Sequence, residues 1–530
     1  MGLKSSALAA LLSLATTAPA LAIEAGTATP AGTEPTLAPE RLAAVPGNSA
    51  AASGDTPATE SRKEATDLMA SGAPGPAAGG HGPQPTDPSR CHKSHAVNLA
   101  VTKALKRPPT NNPLDSFTYI AGIRCQEQGL LKQDFLLQSG SLTENLQNKG
   151  VEFTFTYYPD VSWSNFTQPG FSAMYIASMD VYTGKTGVLW KGGQIHFTTA
   201  GWMGDNYTGS TAINHSIRAE DPPYAGNAWR IFELWYGQKL SNNVELRLGK
   251  IYPWVKIASH QTSGIFQNTA FDYPGVYGST ETTGNFLPYP VAPLGAQLII
   301  NPDPHNQFIF HVMDGKDDPS GGYNYTLGET SLNANDGVEF IAEYAYLDHS
   351  PDPSKLPGYY KIGFQGNTGR FYNFSSKTMS NGSYGGYATL EKMLYAEPGA
   401  AIPRSQGLLG FLKANVTPSP TNIVGFNFSA GLTYAGLIPG RDRDMAGIGV
   451  AYSSFNADAA NYYATTGAYK QGLVPSGSET ILEAVYLAQL TPWLMLIGSY
   501  QYIFSPSKYG ATDPLTPTGH VVMLNTRLAF

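Results

Sequence analysis

The chain has 530 residues and a formal net charge of −7; 14% of its residues are charged, against 57 Gly, 39 Pro, 31 Tyr, 23 Phe and 7 Trp. That mixture of turn formers and aromatics favours strands over helix bundles, and without a basic run the chain lacks the phosphate electrostatics of a nucleic-acid binder. Past the N-terminus no apolar run reaches the roughly 18 residues of a membrane helix, which leaves a secreted soluble β protein or a barrel whose alternating strands hide their apolar band.

Met1-Gly-Leu-Lys4, an apolar stretch from Ala7 to Ala15 and the Ala20-Leu-Ala22 end form the pattern of a secretory signal peptide over residues 1–22. No Cys follows it, so nothing points to a lipid anchor. Residues 23–90 are built from Ala, Pro, Gly, Thr, Ser and Glu, as in Ser71-Gly-Ala-Pro-Gly-Pro-Ala-Ala-Gly-Gly80. With so few side chains to bury, they are expected to be a disordered low-complexity extension.

Residues 91–150 are expected to be a periplasmic segment with one short helix, Leu142 to Gly150, ending in a Gly cap and serving as a plug or lid near a barrel mouth. Cys91 and Cys125 can form one disulfide in an oxidising compartment, closing a loop of about 35 residues and stabilising it by ~3 kcal/mol. Cys91-His-Lys-Ser-His95 has neither zinc-finger spacing nor a haem-attachment signature. No metal or cofactor is expected.

From Val151 the period changes to two. Val151-Glu-Phe-Thr-Phe-Thr-Tyr157 alternates apolar with polar, and similar segments start near residues 151, 171, 191, 228, 243, 293, 306, 337, 357, 384, 406, 421, 445, 478, 493 and 519. Sixteen strands, most of about 8 to 12 residues, fit a transmembrane antiparallel barrel over 151–530 with both termini on the periplasmic side. Short links at 239–243 and 417–421 alternate with long ones at 202–226, 252–290, 315–336, 366–383 and 454–476. The last segment, Val521-Val-Met-Leu-Asn-Thr-Arg-Leu-Ala-Phe530, reads as the closing strand, with Val522, Leu524, Leu528 and Phe530 on the lipid side and Asn525 and Arg527 inside. A C-terminal aromatic at that rim resembles the signal by which outer-membrane barrels are recognised for insertion, which implies the barrel-assembly machinery as a partner.

Parity assigns further side chains to lipid or lumen. Val244, Leu246 and Leu248 take the lipid side, which puts Glu245 and Arg247 inside; Phe340, Ala342, Tyr344 and Tyr346 do the same for Glu339 and Glu343. Lys361, Gln365, Glu479 and Glu483 fall inside by the same rule. Arg230 and Glu233 have opposite parity, so a regular strand would aim one of them at lipid, where a midplane charge costs roughly 2–4 kcal/mol. A bulge or a place near the rim would remove the conflict. Residues 252–290, with Trp254, His260, Phe266, Phe271 and Tyr273, are candidates for a loop folded inward to narrow the channel, or for a packed external loop.

Several segments, in their order and spacing, resemble the carbohydrate-selective porin family of the OprB type: Gln147-Asn-Lys-Gly-Val-Glu-Phe-Thr154, Trp190-Lys-Gly-Gly193, Arg230-Ile-Phe-Glu-Leu-Trp-Tyr236, Leu248-Gly-Lys250, Phe266-Gln-Asn-Thr-Ala-Phe271 and Tyr289-Pro290. The resemblance covers about residues 135–530. Ser139-Gly-Ser-Leu142 departs from it where the family usually has a Gly-Asp-Trp-Gly-Gly-like segment. It implies an outer-membrane channel in which sugars, monosaccharides and related polyols, diffuse passively, with Arg230, Glu233 and Trp235 at the constriction and aromatic rings to stack on a pyranose. The alternative for Trp229, Trp235 and Tyr236 is an interfacial aromatic girdle. A homo-oligomer is compatible with this reading.

Other classes make different demands. A general, non-selective diffusion channel would carry the same lumen charges merely as solvated residues. An outer-membrane barrel enzyme would need a nucleophile in context, and no Gly-x-Ser-x-Gly elbow occurs in a strand-turn-helix setting, so no catalytic residue is expected. A secreted β-rich binding protein would be soluble without detergent.

Overall fold

The computed structural model describes residues 146, 148–164, 170–187, 190–204, 228–253, 257, 262–271, 292–315, 336–348, 355–398, 406–417, 420–466, 477–491, 494–505 and 518–529. The expected signal peptide, the 23–90 extension, Cys91, Cys125, Trp254, His260, Tyr273 and Phe530 lie outside them. Leu146 and Asn148 are helical, and the chain leaves this turn through Gly150 at φ 88°. The Gly150 carbonyl then accepts the Tyr182 N–H, tying the turn to the barrel rim.

Sixteen strands follow. The first eight are β1 (Val151–Ser164), β2 (Gly170–Tyr182), β3 (Gly193–Gly204), β4 (Ala228–Lys239), β5 (Val244–Lys250), β6 (Leu294–Ile300), β7 (Asn306–Asp314) and β8 (Val338–Asp348). The rest are β9 (Gly358–Asn373), β10 (Thr378–Ala396), β11 (Gly407–Val416), β12 (Val424–Ala435), β13 (Met445–Phe455), β14 (Ser478–Gln489), β15 (Leu494–Phe504) and β16 (Thr518–Ala529). Each pairs antiparallel with its sequence neighbour, and β16 returns to β1 with Val161 opposite Leu524 and Tyr157 opposite Leu528. Closure removes every sheet edge, so no row of backbone N–H and C=O groups is left for lipid.

The two faces divide as alternation dictates. Phe153, Leu248, Ile362, Leu390, Val522 and Leu524 are exposed on the outside, a band of large apolar side chains that water would not tolerate and lipid does. Val521, Met523 and Asn525 of the closing strand are buried on the inside. Asn525 Nδ2 donates to Asp160 across the β16–β1 seam.

Odd-to-even connections all lie on the rim away from the strand termini that open β1 and close β16, and they include 205–227, 251–293, 315–337 and 456–477. The last of these holds helix α2 (Ala457–Thr466); the other rim holds the one-turn helix α1 (Thr183–Thr186). Two expectations need correction. The 417–421 link lies on the rim of the long connections, not the short ones. Residues 366–383 are not a loop: β9 and β10 continue as a ribbon turned by 374–377. Gly382, at φ 83°, stands opposite both Thr368 and Gly369, a bulge in β9 where the sequence resembles a turn. The tip is held by Tyr372 and Phe374 against Tyr462 of α2, with Tyr372 and Tyr462 centroids 4.5 Å apart.

Candidate functional site

The parity conflict on β4 resolves as a bulge. Thr198 of β3 faces Glu233 and Thr199 faces Ile231, so Phe232 is the extra residue and the alternation resets across it. Arg230 is 1% exposed, Glu233 7% and Trp235 6%, all inside, while Trp229 points out at 43%. Trp229 is thus exposed on the outer face and Trp235 is buried inside.

Trp235 stands between charged neighbours on the flanking strands. The His196 ring of β3 stacks on it with centroids 4.7 Å apart, and the Arg247 guanidinium of β5 lies 4.3 Å from its centroid. Because these partners come from opposite sides of β4, both faces of the indole are covered. The pyranose stacking expected of Trp235 has no free face here; the ring orders the two basic side chains instead.

Those basic groups are in turn paired. Arg247 Nε donates to Glu245 Oε1 at 2.7 Å. His196 Nδ1 is 2.7 Å from Asp180 Oδ1, and its Nε2 is 2.7 Å from Thr198 Oγ1 and 3.6 Å from Glu233 Oε2. Gln194 Nε2 also donates to Asp180 Oδ1, and Tyr182 OH donates to Glu152 Oε2. The result is a row of polar and ring contacts reaching from β1 to β5. It remains open to water, the side chains of Asp180 and Glu245 being 23% and 22% exposed.

The wall from β6 to β15 is different. Glu339, Glu343, Lys361, Gln365, Glu479 and Glu483 all face inward as parity requires, and all are buried. Lys361 Nζ sits 3.7 Å from Glu343 Oε1, and Tyr387 OH donates to Glu343 Oε2 at 2.7 Å. Tyr387 reaches it across Gly363, where a Cβ would come within 2.1 Å of the ring. Arg230, Glu339, Glu343 and Lys361 are therefore inward but not on the accessible surface that the sequence reading gave them.

The cover is the β5–β6 connection. Ile265, Phe266, Ala270 and Phe271 lie inside the barrel against Phe411, Ile481, Val485 and Ile497. Phe266 and Phe271 stack 4.7 Å apart, and each meets Phe411 edge-on. Tyr252 and Ile257 pack with Ile299, Ile309 and Ile341. Of the two readings of residues 252–290, the described part fits the inward fold.

Sequence reasoning missed Asp180, Gln194, His196, Glu391 and Lys413. Asp180 and His196 were legible by parity, between Met179 and Val181 and between Ile195 and Phe197, and Gln194 shares the parity of His196. Glu391 and Lys392 are adjacent charges, so alternation alone could not say which is inside; Glu391 is buried and Lys392 pairs with Asp348 at 3.3 Å. Among the described residues no group of His, Cys, Asp and Glu is arranged to hold a metal ion.

A family model described as the carbohydrate-selective porin, OprB family, matches residues 177–530. Among solved structures, a high-pH form of OprB from Pseudomonas putida is similar at TM-score 0.63 and 19% identity, covering 76% of this chain and 99% of its own. At that identity the likeness bears on the fold. Its low-pH form gives TM-score 0.48 and 16% identity with the same coverage. No curated protein matches the chain.

Proposed function

The chain belongs to the carbohydrate-selective porin, OprB family, and from that premise we propose that it is an outer-membrane channel through which monosaccharides and related polyols diffuse passively. It reaches that membrane through a cleaved signal peptide and the barrel-assembly machinery, and stands in lipid through its outer apolar belt. It acts as a pore and performs no bond chemistry.

The observation that carries the reading is the open row Glu152, Asp180, Gln194, His196, Glu245 and Arg247 facing an inward-folded connection. Its donors are already engaged by neighbouring acceptors, so a solute displaces no strongly held partner and exchanges hydrogen bonds at the remaining lone pairs and N–H groups. Such exchange costs little for a hydroxyl-rich neutral molecule. Both signs of charge stand side by side, which gives a monovalent ion no comparable path.

The test is single-channel recording of the purified protein in planar bilayers with glucose, mannitol and a panel of charged solutes. Concentration-dependent reduction of ion current by the neutral polyols is expected. Current that never responds to sugar would mean a non-selective channel.

A further inference from the structure

The connection that narrows the lumen is held by its backbone. Glu233 on β4 accepts the Tyr252 N–H at 3.0 Å, Glu391 on β10 accepts the Thr262 N–H at 3.3 Å, and Glu483 on β14 accepts the N–H groups of Gln267 and Asn268 at 2.7 and 3.0 Å. Lys413 on β11 donates to the Phe271 carbonyl. Three carboxylates and one ammonium, spread around the barrel, thus grip main-chain groups that every sequence offers. The wall supplies most of the connection's polar anchoring through the connection's backbone.

Glu483 is the most committed of these. One oxygen takes Gln267 N–H and, at 2.6 Å, the Ser499 hydroxyl; the other takes Asn268 N–H. Asn268 Nδ2 adds a bond to Gln501 at 2.9 Å on the next strand. Ile481, Val485 and Ile497 surround the site, so water does not compete and charge-assisted bonds keep their strength. The wall is also cut to receive the rings: a Cβ on Gly449 would come within 2.7 Å of Phe271 and 3.0 Å of Phe266.

We propose that Glu483, with Glu391 and Lys413, is a positioning residue that sets the bore of the channel by latching the tip of the β5–β6 connection to the wall from β10 to β15. With the latch closed, solutes are confined to the open row from β1 to β5. With it released, the tip moves into the passage or away from it, and the bore fluctuates. The proposal rests on reading the protein as a diffusion channel, but ion current reports the bore whether or not any sugar binds.

The experiment uses the full chain in planar bilayers. In Glu483→Gln the amide keeps one acceptor oxygen and turns an NH₂ toward the other backbone N–H. The population with a detached tip is then expected to rise ~10-fold, the factor that losing one hydrogen bond to a charged group corresponds to. The readouts are excess open-channel noise, a changed unit conductance and weaker block by glucose, in a barrel whose heat-modifiable migration is unchanged. Gly449→Ala should act alike by pushing Phe271 off the wall with no change of charge, which separates a moved connection from an altered field. Should Glu483→Gln not assemble, Gly449→Ala and Lys413→Met carry the same expectation. Assembled variants with wild-type noise and conductance overturn the latch. Wild-type current indifferent to glucose, with both variants noisy, would leave the latch standing and remove the carbohydrate reading.

Discussion

Arg247 sits where three constraints meet: Glu245 holds its Nε at 2.7 Å, Trp235 lies beneath its guanidinium, and lumen water reaches the rest. Removing it bares one face of the indole and takes a positive charge away from Glu245. Arg247→Ala should therefore shift the zero-current potential in a salt gradient toward cation selectivity, while Leu246→Ala, one residue away on the lipid side, should leave it unmoved. The buried trio behaves otherwise. Lys361→Met takes the ammonium away from the buried Glu343 carboxylate, which also accepts from Tyr387, and breaking a buried ion pair this way costs about 3–5 kcal/mol. Urea unfolding of the folded barrel should register that loss, with single-channel conductance near wild type because the trio lies away from the open row. These two outcomes separate inward charges that touch solute from inward charges that hold the wall, a distinction alternation cannot make.

Strands were legible because alternation is local: β1 needs only Val151 to Tyr157, and β16 only Val521 to Leu528. What alternation misplaced was the β9–β10 ribbon, where Gly382 serves a bulge and the tip is stabilised by α2, an element some eighty residues on. The seam and the tight turns add their own expectations. Asn525→Ala removes a donor to Asp160 between the first and last strands, and a hydrogen bond to a charged group contributes about 1.5–3 kcal/mol. The loss should appear in unfolding experiments on the assembled barrel, as a lower urea midpoint. In the β6–β7 turn, the Asn306 side chain and the His305 and Asn306 backbone N–H groups hold the Asp303 carboxyl below the ordinary carboxylate range. A depressed folded-state value means that the turn has its full stabilisation above the unfolded value near 3.8 and loses it as pH falls through the lowered one. Amide exchange at His305 and Asn306, corrected for intrinsic rates, should therefore quicken only in strong acid, and Asp303→Ala should show the quickened exchange already at neutral pH.

At the scale of the molecule, the division of the lumen depends on bonds between residues 129 and 216 positions apart, Thr262 to Glu391 and Gln267 to Glu483. No local pattern encodes such a path, which is why parity gave Glu245, Arg247, Glu339, Glu343, Lys361, Gln365, Glu479 and Glu483 a common role that they do not share. Glu339, Glu343, Lys361 and Glu483 went under cover or into the latch; Asp180, Glu245 and Arg247 stayed in the open. The consequence for transport follows from where those open groups stand. Asp180 meets Gln194 and His196 with the same oxygen, and Glu245 lies beside Arg247, so the open row offers a neutral polyol acceptors and donors in alternation. A solute carrying a full negative charge meets Glu152, Asp180 and Glu245 along the same wall. Glucose should therefore permeate liposomes bearing the protein faster than glucuronate of nearly equal size, and Asp180→Asn should narrow the gap by raising glucuronate flux more than glucose flux. Equal wild-type rates for the two solutes, at matched and moderate ionic strength where screening leaves contacts within a few ångströms intact, would show that the open row does not choose what passes.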